Sequence, residues 1–365
     1  MNNQYYMFYG FANILYLYSF LLKEYVLGDW SKVYDLQLFY SVIVTGCIAL
    51  APIVWKWLKP NSVPACESST PKFFSIRYML MALIAISIEF YLFNYSGADL
   101  TTYFDRSNRE LDFFVSQTFV IFILILQFYF FYSIYYFESV SFFWRIIFWV
   151  LFLSFLYFEF VVLGARRYSI AVILFYLFRY NKFKEVFKFK YLMPAFFLSF
   201  SVFIFGGIRE IILKGETLSV QSVLEVALRD NEFTEIGRGL YYYIYNNYNL
   251  EMLSLGKTLI DGMQYIIPRS MHFDKPLSIV SQFGMPASIY SELFLNFHII
   301  GSLFFLVHAI IFYSISNKKT FISCIFSAFT LDFIRTDFGS IIYTLIVMTI
   351  LSFIFQKNYS LDKIN

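Results

Sequence analysis

The chain is expected to be an all-α, polytopic integral membrane protein of about ten transmembrane helices, interrupted by one large extramembrane loop. Three observations lead there. Hydrophobic residues make up 59% of the 365 positions and charged residues only 15%, with a mean hydropathy of +0.62. Apolar runs of about 18 residues or more recur along the chain, longer than the core helix of a soluble protein needs. One long polar segment, from Gly207 to Ser291, breaks that pattern, and it concentrates Arg209, Glu210, Arg229, Asp230, Arg238, Arg269 and His272. Its backbone and charges would go unsatisfied in hydrocarbon, so it belongs outside the bilayer. The organisation is therefore 1–207 as a seven-helix part, 208–290 as the large loop and 291–365 as a three-helix part, forming one integrated domain.

Taken in order, spans are expected at about 5–22, 37–55, 77–95, 113–137, 143–163, 168–180, 191–207, 291–314, 320–336 and 338–355. Lys23 and Glu24 close the first early, and the sixth is short. The opening sequence MNNQYYMFYG lacks a basic region, and no small-residue cleavage site follows, so the first run reads as a retained span. Cys47, Cys66 and Cys324 show neither metal-ligand spacing nor a disulfide framework.

Orientation follows from Lys and Arg in the short connections. With the N-terminus cytoplasmic, Lys56, Lys59, Lys182, Lys184, Lys188 and Lys190 all fall inside, and so do both termini. The long segment then lies outside. The cations differ in kind across this divide. Lysine dominates inside, whereas Arg106, Arg109, Arg166, Arg167, Arg209, Arg229, Arg238, Arg269 and Arg335 are all outer. A guanidinium offers a planar fork that binds phosphate oxygens in pairs, so as a set these residues point to an outer site for an anionic, phosphate-bearing ligand. Salt bridges with outer carboxylates are the other reading for any single one. Glu89, Glu159 and Asp332 fall in the outer halves of their spans, where each either faces a polar cavity or pairs with an outer arginine.

Four short motifs carry the chemistry. Gly164-Ala165-Arg166-Arg167 joins the fifth and sixth spans and places two cations side by side. Gly206-Gly207-Ile208-Arg209-Glu210 leads into the long segment. Ile267-Pro268-Arg269 and Lys275-Pro276 bracket His272 and Asp274, and the prolines stiffen that stretch. Ser291-Glu292-Leu293-Phe294-Leu295-Asn296 opens the eighth span, with Glu292 and Asn296 on one helical face at its outer end.

This order of motifs resembles the Wzy-type O-antigen, or oligosaccharide repeat-unit, polymerases of bacterial envelopes. The stations are G-x-R at Arg166, G-x-R-E at Arg209–Glu210, I-P-R and K-P at Pro268–Arg269 and Lys275–Pro276, and S-E-x-x-x-N-F at Glu292 and Asn296. The match covers about 164–301. Where that family often continues N-F-G-x-x-G, this chain has Asn296-Phe297-His298-Ile299-Ile300-Gly301.

The resemblance implies a GT-C-like membrane glycosyltransferase of the inner membrane whose large loop is periplasmic. Its substrates would be undecaprenyl-diphosphate-linked oligosaccharides, as donor and as acceptor, with the lipid bilayer and a chain-length regulator protein as partners and no nucleic acid. Arg166, Arg167, Arg209, Arg269 and Arg335 would bind diphosphate; Arg209, with Glu210, His272 or Glu292 as base, would carry catalysis; Asn296 and Lys275 would contact the acceptor sugar. No D-x-D signature occurs in the outer segments, so neither a metal nor another cofactor is expected. An O-antigen ligase shares the architecture and the donor and remains the alternative. A flippase would carry more spans with internal repeats, and a membrane acyltransferase would want Arg and His near the first span.

Overall fold

A computed structural model describes residues 4–27, 30–58, 76–96, 117–159, 167–180, 211, 217, 219, 232–246, 254–264, 288–316, 320–336 and 338–356. Among the described residues every regular element is helical. In chain order the helices are α1 (Gln4–Leu27), α2 (Lys32–Leu58), α3 (Ile76–Ser96), α4 (Gln117–Tyr135), α5 (Phe142–Tyr157), α6 (Arg167–Arg179), α7 (Glu232–Asn246), α8 (Lys257–Gln264), α9 (Ile289–Phe297), α10 (Gly301–Ser316), α11 (Phe321–Ala328), α12 (Thr330–Arg335) and α13 (Phe338–Gln356). Nine of the ten expected spans fall on these helices. The seventh, 191–207, lies outside the described residues.

Alternating direction sorts the helix ends into two groups. At one end, here the proximal end, Tyr5 of α1 donates its hydroxyl to the Phe178 carbonyl of α6. Tyr78 of α3 stacks on Tyr132 of α4 at 6.1 Å, the Arg179 guanidinium lies 4.4 Å over the Tyr135 ring, and Phe321 of α11 meets Tyr135 at 5.1 Å. At the distal end, Tyr34 of α2 stacks on Tyr241 of α7 at 4.5 Å, and Phe93 of α3 packs on Phe158 just past α5 at 5.4 Å. The long polar segment thus sends α7 back against the distal halves of α1 and α2. Gln37 fastens it there by donating Nε2–H to the Gly237 carbonyl at 3.0 Å. The approach is close: a Cβ on Gly237 would come within 2.4 Å of the Phe20 Cβ.

Helix α4 is the core element, buried almost throughout from Ile123 to Tyr135. Phe131 stacks on Phe175 of α6 at 4.7 Å and meets Phe329 edge-on at 5.5 Å. Aromatic side chains bury large area per residue and favour such offset and edge-to-face contacts. The outward faces are apolar as well. Leu80, Leu83 and Phe90 of α3, Trp149 and Leu153 of α5, Leu303 and Val307 of α10, and Phe353 and Ile354 of α13 are all exposed. Two helical stretches, Lys32–Leu58 and Ile289–Ile315, are long and apolar enough to cross a membrane by length and composition, each with a mean hydropathy of 2.0.

The second stretch is not straight, which corrects the expected eighth span. The Tyr290 and Phe305 rings lie 5.4 Å apart, although fifteen residues of continuous helix would separate them by about 22 Å. The chain folds back through a 3₁₀ turn at His298–Ile300, so α9 and α10 form a helical hairpin. Helix α10 runs toward the proximal end, where Tyr313 meets Tyr6 at 5.0 Å. Helix α9 therefore starts deep in the bundle and climbs to the turn. Its start is pinned there: the Tyr40 hydroxyl donates to the Tyr290 carbonyl at 3.1 Å, and the Tyr290 hydroxyl donates to Asn13 Oδ1 at 2.5 Å.

Candidate functional site

Helix α9 is buried at every position from Ile289 to Asn296. Ser288 caps it, its side chain accepting from the Ser291 N–H at 3.3 Å. Glu292 stands in the first turn, where the helix dipole favours a carboxylate. Four residues on, Asn296 shares its face, as the spacing predicts. The expectation that this face is open to substrate at an outer helix end is corrected, because Glu292 is 1% exposed and Asn296 is fully buried. The fold-back puts them beneath the returning polar segment.

What covers them is the segment 254–264. Thr258, near the start of α8, donates its hydroxyl to Glu292 Oε1 at 3.1 Å. Asn296 Nδ2 donates to Thr258 Oγ1 at 2.5 Å and to the Glu292 carbonyl at 2.8 Å, while Asn296 Oδ1 accepts from the Gly256 N–H at 2.9 Å. The Ser254 N–H reaches the Leu295 carbonyl at 3.0 Å, one of the carbonyls a helix end leaves without an internal partner. Gly256 sits at φ 89°, a conformation that glycine adopts without strain. Both N–H protons of Asn296 are thus used within the protein, and the side chain helps hold this junction.

Arg335 ends α12, a six-residue helix packed against α1, α6, α9, α11 and α13. It is half-buried and lies on the element that touches both the Glu292 helix and α6, which Arg167 opens. Arg166, Arg209, Glu210, Arg269, His272 and Lys275 lie outside the described residues. Of the acids within the apolar runs, Glu159 has a clear role that differs from the arginine pairing considered above. Its two carboxylate oxygens accept from the Tyr168 N–H at 2.7 Å and the Ser169 N–H at 2.8 Å, and the Ser169 hydroxyl donates to it as well. A buried carboxylate here satisfies the unpaired N–H groups that open α6. Glu89 is buried beside Ser154, with its Oε1 unbonded among the described residues.

Thr258 and Gly256 went unnoticed in the sequence. Their partners are 34 to 40 positions away, and no local pattern marks that pairing. His298 was noticed only as a departure from glycine. It adopts φ 52° and ψ −141°, a region that a glycine takes freely. Gly301 occupies the second glycine station of the motif, and a Cβ there would lie 2.2 Å from the Leu293 carbonyl oxygen. No family model, curated protein or solved structure matches the chain.

Proposed function

We propose that the chain is a polytopic inner-membrane glycosyltransferase that polymerises undecaprenyl-diphosphate-linked oligosaccharide repeat units at the periplasmic face. The membrane part of this reading draws on the apolar outward faces of α3, α5, α10 and α13, which would be costly in water and suit hydrocarbon. The observation that carries the enzymatic part is the α9–α10 hairpin. The S-E-x-x-x-N-F motif buries Glu292 and Asn296 under the polar segment, and the two motif glycine stations coincide with a positive φ and a close backbone approach. That gives a geometric reason for a pattern otherwise drawn only from resemblance.

In the proposed reaction an acceptor sugar hydroxyl attacks the anomeric carbon of the lipid-linked donor. A new C–O glycosidic bond forms, the bond to phosphate breaks, and undecaprenyl diphosphate leaves with the electron pair. The hydroxyl proton passes to a carboxylate or histidine, with Glu210, His272 and Glu292 as candidates. Negative charge grows on the leaving phosphate, where arginines among Arg166, Arg167, Arg209, Arg269 and Arg335 would stabilise the transition state more than the ground state.

Deleting the gene and resolving the lipopolysaccharide on a gel tests this reading. Loss of a polymerase leaves core plus a single repeat unit, whereas bare core would identify the ligase alternative and an unchanged ladder would refute both. Arg209→Lys refines the test. It retains charge without the fork, so chains should shorten at normal protein level.

A further inference from the structure

We propose that helix α7 is seated in the headgroup layer of the bilayer, where Tyr241 and Tyr245 complete an aromatic belt begun by Tyr25 and Trp30; the inference rests on the membrane reading above. Five rings run in unbroken contact across the distal end. Tyr25 of α1 meets Trp30 edge-on at 5.7 Å, and Trp30 lies 5.3 Å from Tyr34 of α2. Tyr34 stacks on Tyr241 of α7 at 4.5 Å, and Tyr241 on Tyr245 at 6.2 Å. The two ends of this strip face outward, Tyr25 being 71% exposed and Tyr245 61%. Trp30 donates its Nε1–H to Asp35 at 2.7 Å, and the Tyr34 hydroxyl donates to Glu24 at 3.3 Å. Rings with apolar faces and bonded polar tips suit the border between hydrocarbon and water.

Helix α2 fixes where that border lies. It carries no charge between Asp35 and Lys56, and the stretch 36–55 is about 30 Å long, the thickness of bilayer hydrocarbon. Asp35 thus marks the distal edge. Two contacts register α7 against it. The Gly237 carbonyl accepts from Gln37 at 3.0 Å, just inside the edge, and Tyr241 stacks on Tyr34, just outside it. Tyr245 stands one turn further out, about 6 Å, within a headgroup layer of roughly 5–7 Å. Arg238, paired with Glu235 at 2.8 Å, lies near enough to the edge for its long side chain to reach the headgroups. Lipid is the occupant because the strip continues an outward apolar face. Met7, Phe11, Ile14 and Leu22 are exposed on one stripe of α1, and Tyr25 is its distal end. Seating α7 there holds the long segment against the surface at which a lipid-linked diphosphate presents its headgroup.

The test uses full-length Cys66→Ser protein in lipid nanodiscs of phosphatidylethanolamine and phosphatidylglycerol. Cys47 and Cys324 are buried, so a nitroxide can be attached singly at Phe11→Cys, Tyr25→Cys, Ser219→Cys or Tyr245→Cys. Collisions with oxygen, which concentrates in hydrocarbon, and with a water-soluble nickel chelate read its depth. The Tyr245→Cys label is expected within about 5 Å of the depth of the Tyr25→Cys label. Its oxygen-to-nickel ratio should fall between those of the Phe11→Cys and Ser219→Cys labels. A Tyr245→Cys label as open to nickel as the one at Ser219→Cys would put the strip in water, free to hold a sugar ring, and would overturn the proposal. Shielding from both reagents would overturn it too, by showing protein over the strip. Either result leaves the membrane reading standing. If the Phe11→Cys label itself reads as aqueous, that reading fails first and the inference with it.

Discussion

Gly301 rests against the Leu293 carbonyl so closely that a Cβ would stand 2.2 Å from the oxygen and 2.6 Å from the carbon. Both atoms are backbone, so neither can swing aside. The α9–α10 hairpin can close only because position 301 has no side chain. Gly301→Ala is expected to force the arms apart, loosen the Tyr290–Phe305 stack and lower the thermal midpoint in detergent. The cost falls in the range of about 1–3 kcal/mol usual for overpacking a tight site. An unchanged midpoint would mean that the arms separate freely.

His298 gives the opposite sign one turn earlier. At φ 52° and ψ −141° it occupies a region that disfavours any side chain, with a strain of about 1–3 kcal/mol. Its ring recovers part of this by packing on Phe294 at 4.7 Å. His298→Ala loses the ring and keeps the strain; His298→Gly loses the ring and relieves it. The glycine variant is expected to melt higher than the alanine variant by the equivalent of about 1 kcal/mol. The reverse order would show that the turn is not strained.

The helices were legible in the sequence because hydropathy is local: nine of the ten expected stretches fall on helices among the described residues, two of which are long and apolar enough to cross a membrane. The fold-back was not, since both arms of Ile289–Ile315 are equally apolar and a hydropathy window cannot see a reversal. Its trace was a single glycine, Gly301. The face shared by Glu292 and Asn296 followed from helical spacing, yet its burial did not, because the cover comes from Ser254–Thr258. Glu159 was expected to face a polar cavity or pair with an outer arginine, and it does neither. Its partner proved to be backbone N–H, which every residue but proline offers and which sequence therefore cannot single out.

Glu159 should accordingly behave as a structural cap. Glu159→Gln keeps one acceptor oxygen and turns an NH₂ group toward an N–H donor of α6, leaving that donor unpaired in a buried site. Such a loss costs roughly 1–3 kcal/mol. The expected outcome is less folded protein in the membrane, with normal polymer length per folded molecule. Shortened chains at normal protein level would instead place Glu159 in the chemistry.

Orientation can be read from cysteine labelling. Cys47 and Cys324 are buried and should stay silent toward a membrane-impermeant maleimide. Ser219, in the long segment, is exposed. In intact spheroplasts Ser219→Cys is expected to react, whereas native Cys66, on a connection that the proposed topology puts on the opposite side, should react only after permeabilisation. The reverse pattern would invert the proposed topology and put the outer arginines on the cytoplasmic face.

Asn296 makes the sharpest distinction between shape and hydrogen-bond direction. Asn296→Asp is nearly isosteric, but an oxygen then replaces Nδ2 opposite the Glu292 carbonyl, 2.8 Å away, where no proton remains to join the two. Thr258 could turn its hydroxyl toward the new carboxylate, and Glu292 would then lose its donor. A second negative charge would also be buried one turn from the first. Asn296→Ala merely deletes these contacts and leaves the Gly256 N–H unpaired. The conservative-looking change is therefore expected to be the worse one, with Asn296→Asp melting below Asn296→Ala, by about 1–3 kcal/mol where the facing oxygens cannot relax. Thermal midpoints of the two purified variants in the same detergent decide the matter. An aspartate variant as stable as wild type would mean that the donor direction assigned through Gly256, Asn296 and Thr258 is wrong.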